Sequence, residues 1–148
     1  MSGVDVSPVV RLACRYMARL IQVFALYVVF HGHYSPGGGF QGGALLASAV
    51  ILLRIGEGRE ASQGDLASGS ALGIGAIGAW IFGGVGLIGM FFGGKFLQYD
   101  AGPSIGLSPE SMHYWGILVI ELGVALAVMS VLVSIFDALT DREEESER

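Results

Sequence analysis

Residues 114–138 read YWGILVIELGVALAVMSVLVSIFDA, twenty-five positions with only two charges, Glu121 and Asp137. At about 1.5 Å per helical residue such a run crosses about 30 Å of hydrocarbon. A second run of the same length, SGSALGIGAIGAWIFGGVGLIGMFF at 68–92, carries no charge at all. Two shorter stretches precede them: residues 9–30, of which only 20–30 are charge-free, and residues 40–55. The pattern predicts an all-α polytopic membrane protein with four transmembrane helices, at about 9–30, 40–55, 68–92 and 114–138. A single membrane domain spans 1–148, with an acidic C-terminal tail at 139–148.

The composition agrees. Of 148 residues, 53% are hydrophobic and 14% charged, against about a quarter charged in a soluble domain. Glycine is abundant, at 24 residues, but follows no G-X-Y period, which excludes collagen. The net charge of -5 comes largely from the last eight residues and points to no nucleic-acid partner. Cys14 is the single cysteine, so a disulfide framework and a zinc finger are excluded.

Arginine sets the expected orientation. Arg11, Arg15, Arg19, Arg54, Arg59, Arg142 and Arg148 fall on one side of the four spans, and Lys95 alone on the other. The positive-inside rule then places both termini in the cytoplasm and the chain in the cell membrane. Tyr34, Tyr99, Tyr114 and Trp115 gather near the outer face, as an interfacial aromatic belt does. The N-terminal arginines and the apolar residues after them resemble a signal peptide, but no A-x-A-like site follows, so an uncleaved span is expected. Arg11, Arg15 and Arg19 step by four along one helix face and are expected to snorkel to lipid headgroups. The tail DREEESER reads as a solvated end, and Asp137 as an interfacial residue near the cytoplasm.

Between the first two spans lies HGHYSPGGGFQGG, residues 31–43. Proline and glycine at this density break a regular helix. An exposed loop is the ordinary explanation. Residues 40–55, however, supply only about 24 Å of helix, too little unless part of the glycine segment sits at membrane depth. Non-helical backbone is tolerated there only when buried in protein or lining a wet cavity. The arithmetic favours a buried, re-entrant segment, with the surface loop as its alternative.

Five residues are candidates for a proton or ion path. Glu121 is an intramembrane carboxylate, costly unless it faces a polar interior, and so either a relay group or one half of a structural pair. His31 and His33 flank one glycine and are of the residue type that passes protons, or simply end a helix. An isolated H-x-H lacks the further ligands a metal requires, so no metal and no cofactor are expected. Lys95 and Asp100 are of the right types for an ion pair or the mouth of a polar path, or are plain surface charges. Gln41 suits capping of exposed backbone. In the third span Ala71, Gly75, Ala79 and Gly83 recur every four residues, a small-residue ridge for close helix packing. Cys14 reads as a small packing residue.

The stretch FHGHYSPGGGFQGGALLAS, residues 30–48, resembles the signature of the MnhB family, one of the component families of Mrp-type multisubunit Na⁺/H⁺ antiporters. The residues that carry the resemblance are His31, Gly32, His33, Pro36, Gly37, Gly38, Gly39, Phe40, Gln41, Gly42 and Gly43. It extends along the chain through the basic first helix, the glycine-rich third helix and Asp100-Ala-Gly-Pro103 before the last. It implies a four-span accessory subunit that packs against, and lines or borders, the ion or proton path of a larger complex exchanging Na⁺ for H⁺. The implied partners are other subunits of that complex and membrane lipid. Homologous domains occur in membrane-bound, energy-converting hydrogenases, so a membrane-arm subunit of such a complex is the alternative. A third reading, an autonomous four-helix carrier built around Glu121, has no place for the glycine segment.

Overall fold

A computed structural model describes residues 7–32, 38–58, 68–99, 106 and 108–146. Four helices account for most of them: α1 (Pro8–Phe30), α2 (Gly38–Glu57), α3 (Ser68–Phe91) and α4 (Pro109–Ser146). Each is long and apolar enough to cross a membrane. The eight glycines within 68–91 would weaken a helix in water, at about 1 kcal/mol each relative to alanine. In hydrocarbon an unsatisfied backbone group costs more than that, so the helix is retained.

The helix boundaries follow local chemistry. Pro8 and Pro109 occupy first-turn positions, where no backbone donor is needed. Ser108 precedes α4 and its Oγ accepts the Ser111 N–H at 3.3 Å, an N-cap. Gly58 and Gly93 follow the ends of α2 and α3 with φ of 87° and 81°, the left-handed geometry that closes a helix and that glycine adopts without strain.

Two expectations change here. The second helix begins at Gly38 rather than near 40, so half of the glycine segment is regular helix, not re-entrant coil; residues 33–37 lie outside the described residues. Its 20 residues give about 30 Å, a full span. The last helix continues beyond 138 through the acidic tail to Ser146. At about 57 Å it is longer than the hydrocarbon is thick, so it projects beyond it.

The helices pack in the order α1, α2, α4, α3; among the described residues α4 is the one helix that α3 touches. One end of the bundle carries His31, Gly38 and Pro109 (the glycine end), and the other carries the start of α1 and the end of α2 (the arginine end). Ala18, Ala49 and Leu53 seal α1 on α2, and Ala47, Val50 and Val133 seal α2 on α4. Cys14 packs against Gly56. Large apolar side chains face outward, Trp80 at 78% exposure and Phe91 at 84%. Such surface suits lipid or neighbouring subunits rather than water.

The small-residue ridge of α3 divides. Ala71 is buried and Gly75 lies against Ser130. Ala79 is exposed, and a Cβ on Gly83 would meet nothing within 4 Å; both line an outward-facing depression of about 220 Å³ with Trp80, Gly84 and Leu87. Steps of four overshoot the helical repeat of 3.6 residues, so the row rotates off the contact face by about 40° per step. The contact instead continues through Gly78, where a Cβ would stand 2.5 Å from the Gly123 carbonyl oxygen.

At the arginine end, Arg15 makes a paired contact with Glu57, Nε–Oε1 at 2.7 Å and Nη2–Oε2 at 3.0 Å. The Arg15 side chain is 58% exposed and that of Glu57 9%; with water reaching the arginine, the pair contributes about 0–1 kcal/mol. Arg15→Ala is therefore expected to leave the amount of folded protein in membranes within twofold of wild type, read by quantitative immunoblot.

Candidate functional site

The glycine end builds a cradle around Glu121. This residue lies in α4 twelve positions after Pro109, and its carboxylate contacts the backbone of Gly32, just after α1, and of Gly38, which opens α2. A Cβ at either glycine would collide with that carboxylate. A Cβ at Gly39 would stand 2.5 Å from the carbonyl oxygen of Glu121 and 3.0 Å from its Cα. Glycine at these positions makes room for an ionisable side chain and for the backbone that bears it. Glu121 is half-buried.

The same residues set how α2 is wedged between its neighbours. Gly38 and Gly42 are four apart, and Gly42 faces α1, where a Cβ would meet Val29 and approach the Ala25 carbonyl oxygen to 3.1 Å. Gly39 and Gly43 face α4, where a Cβ at Gly43 would stand 2.6 Å from the Ala125 carbonyl oxygen. GGFQGG is thus two overlapping small-xxx-small pairs offset by one residue. One approaches α1 and the other α4. Sequence reasoning missed this although the spacing was visible; what it lacked was which helix lay on each side.

His31 ends α1. Its backbone N–H donates to the Tyr27 carbonyl at 3.0 Å, its ring Nδ1 lies 3.1 Å from the same oxygen, and the ring stacks on Tyr27 at 4.1 Å. With Nδ1 as donor to a carbonyl, Nε2 is the nitrogen left to accept. His31 adjoins Gly32 and so lies beside the Glu121 cradle. Phe40 and Gln41 are exposed on the outer side of the first turns of α2. His33, Pro36, Gly37 and Asp100 lie outside the described residues.

Lys95 belongs to a different place. It lines an open pocket of about 550 Å³ with Phe96, Leu97, Gln98, Tyr99 and His113, on the loop that follows α3. Its backbone N–H donates to Gln98 Oε1 at 2.9 Å. Tyr99 meets His113 edge-on at 5.1 Å, and burial pushes the Tyr99 phenol above its ordinary value. Lys95 therefore groups with Tyr99 and His113, whereas the motif glycines group with Glu121.

Asp137 is enclosed by the bundle. It is only 5% exposed and forms an ion pair with Arg54, which is equally buried. Counting along α4 gives the height of Asp137 but not what faces it. Arg54, the cation that draws it inward, lies on α2.

The chain matches the family described as "Domain related to MnhB subunit of Na+/H+ antiporter" over residues 9–134. Relatives named "Putative antiporter subunit mnhB2" in Staphylococcus aureus strains Newman and COL are 32% identical over 136 residues, covering 89% of this chain and 93% of theirs. No solved structure matches at a significant level. The match takes in the glycine cradle, the Arg54 end of α2 and most of α4, including Glu121. On its sequence and on the extent of that match, this chain belongs to the MnhB family.

Proposed function

We propose that this chain is a subunit of a multisubunit Na⁺/H⁺ antiporter, a multi-pass component of the cell membrane that works with other subunits rather than as an enzyme. The observation that carries the reading is the family match over residues 9–134, within which the motif glycines close around an intramembrane carboxylate. The relatives bear antiporter names, which favours this reading over the hydrogenase-type arm. The arginine end faces the cytoplasm by the positive-inside rule, and the glycine end faces outward. Removal of the chain should abolish Na⁺-dependent dissipation of a pH gradient in everted vesicles, and the chain alone in liposomes should show none. Sodium-dependent proton flux from the isolated chain would overturn the subunit reading.

Glu121 is the proposed ion- or proton-handling group of this subunit. The cradle makes the test a clean one, because Glu121→Gln keeps the shape that Gly32 and Gly38 accommodate but removes the exchangeable proton. Assembly should survive and exchange should fall at least several-fold, measured across a pH series with complex abundance followed in parallel. Unchanged exchange in a normally assembled Glu121→Gln complex would remove Glu121 from the path.

A further inference from the structure

A second polar feature lies at the other end of α4. Ser130, Ser134 and Asp137 are spaced i, i+4, i+7, so they share one stripe of the helix. Their side-chain oxygens are all buried. Asp137 is paired with Arg54. The hydroxyls of Ser130 and Ser134 have no hydrogen-bond partner among the described residues, and Ser130 is only 1% exposed.

Two other helical hydroxyls behave differently. Ser48 Oγ donates to the Ala44 carbonyl at 2.8 Å, and Thr140 Oγ1 donates to the Phe136 carbonyl at 3.0 Å. That back-bond is how a helix normally satisfies a hydroxyl away from water. Ser130 and Ser134 do not use it, although the same type of acceptor lies one turn behind each. A buried hydroxyl is retained when it has a partner, and in a protein interior that partner is often ordered water. On α3, Gly75 faces Ser130: a Cβ there would stand 3.0 Å from Ser130 Cβ and 3.6 Å from its Oγ. Gly75 brings the α3 backbone close to Ser130 but no side-chain acceptor for its hydroxyl.

We propose that Ser130, Ser134 and Asp137 form a hydrated strip that conducts protons into the bundle from the arginine end, with the Arg54–Asp137 pair at its mouth. Water bridges the hydroxyls, each of which donates one hydrogen bond and accepts others, so a proton can pass along the file without a permanent charge at Ser130. The strip rises about 10 Å from Asp137 to Ser130. It stops roughly 14 Å short of Glu121, and nine residues of helix put Ser130 on the opposite side of α4. The seam on the α2 side is closed by Ala47, Val50 and Val133. The strip is therefore a half-path that ends inside the bundle at Ser130 and does not reach Glu121 through the α2–α4 contact.

The test is thiol accessibility in the assembled complex, with Cys14→Ala to remove the native thiol. Ser130→Cys and Ser134→Cys are compared with Val133→Cys, which lies in the dry seam. A small methanethiosulfonate reacts with thiolate, which forms only where water reaches. Both serine positions should label at least tenfold faster than position 133, and labelling at the position-133 rate overturns the proposal. If Ser130→Cys does not assemble, Ser134→Cys decides alone.

A second arm reads conduction. Ser130→Ala combined with Ser134→Ala should cut Na⁺/H⁺ exchange several-fold at unchanged complex abundance. Unchanged exchange overturns proton conduction even where the strip labels. This arm rests on the antiporter reading and the labelling does not, so failure of the one is distinguishable from failure of the other.

Discussion

Arg54→Ala is expected to eliminate the assembled complex from membranes, the largest effect of any single substitution considered. The change leaves the buried Asp137 carboxylate without its cation. Removing one member of a buried pair costs about 3–5 kcal/mol, a large fraction of the whole stability of a small domain. Asp137→Ala should act alike, by leaving Arg54 buried without that carboxylate. Arg54→Met combined with Asp137→Leu removes both charges and keeps the volume, and such exchanges are often neutral or stabilising. The double variant should therefore restore assembly, measured as complex recovered in mild detergent. Restored assembly without restored exchange would separate the packing role of the pair from its place at the mouth of the strip. If Arg54→Ala assembled as well as wild type, the pair would not hold α2 to α4.

Gly39→Ala should be the next most damaging change. Its Cβ would stand 2.5 Å from the Glu121 carbonyl oxygen and 3.0 Å from Cα, both backbone atoms that cannot rotate away. The cost begins with the first side-chain atom, so serine as well as leucine should lower the yield of complex, leucine most. Overpacking of this kind costs about 1–3 kcal/mol, a loss of roughly tenfold or more when stability is marginal. Gly43→Ala, against the Ala125 carbonyl oxygen at 2.6 Å, should behave similarly. Gly73→Ala is the control. A Cβ there meets nothing within 4 Å, and alanine is the better helix former by about 1 kcal/mol. Equal recovery of Gly39→Ala and Gly73→Ala would show that close approach of α2 to α4 does not govern assembly.

The glycine segment shows how far such features were legible in advance. Its density signalled a break in regular helix, which the structure does not show from Gly38 onward, and the length of the second span required part of it at membrane depth. The offset pairs Gly38/Gly42 and Gly39/Gly43 were also present in the spacing. That one pair serves α1 and the other α4 could not be read, because it depends on α4 lying beside α2 rather than beyond α3. The pairing of Asp137 was missed for a related reason. Its position in the last span gives a height near the membrane edge, but its burial comes from Arg54, eighty-three residues earlier in the chain.

The four spans and the all-α class followed from sequence alone, because transfer to hydrocarbon sums over consecutive residues and backbone satisfaction makes each apolar run a helix; the family followed from the resemblance carried by residues 30–48. Tertiary structure decided the rest: the order α1–α2–α4–α3, the glycine cradle around Glu121, the grouping of Lys95 with Tyr99 and His113, and the buried Arg54–Asp137 pair. Each is a contact between distant segments, so it depends on which faces of two helices meet. Hydropathy fixes only how deep a residue lies, and four-residue spacing drifts off any single face as a helix turns.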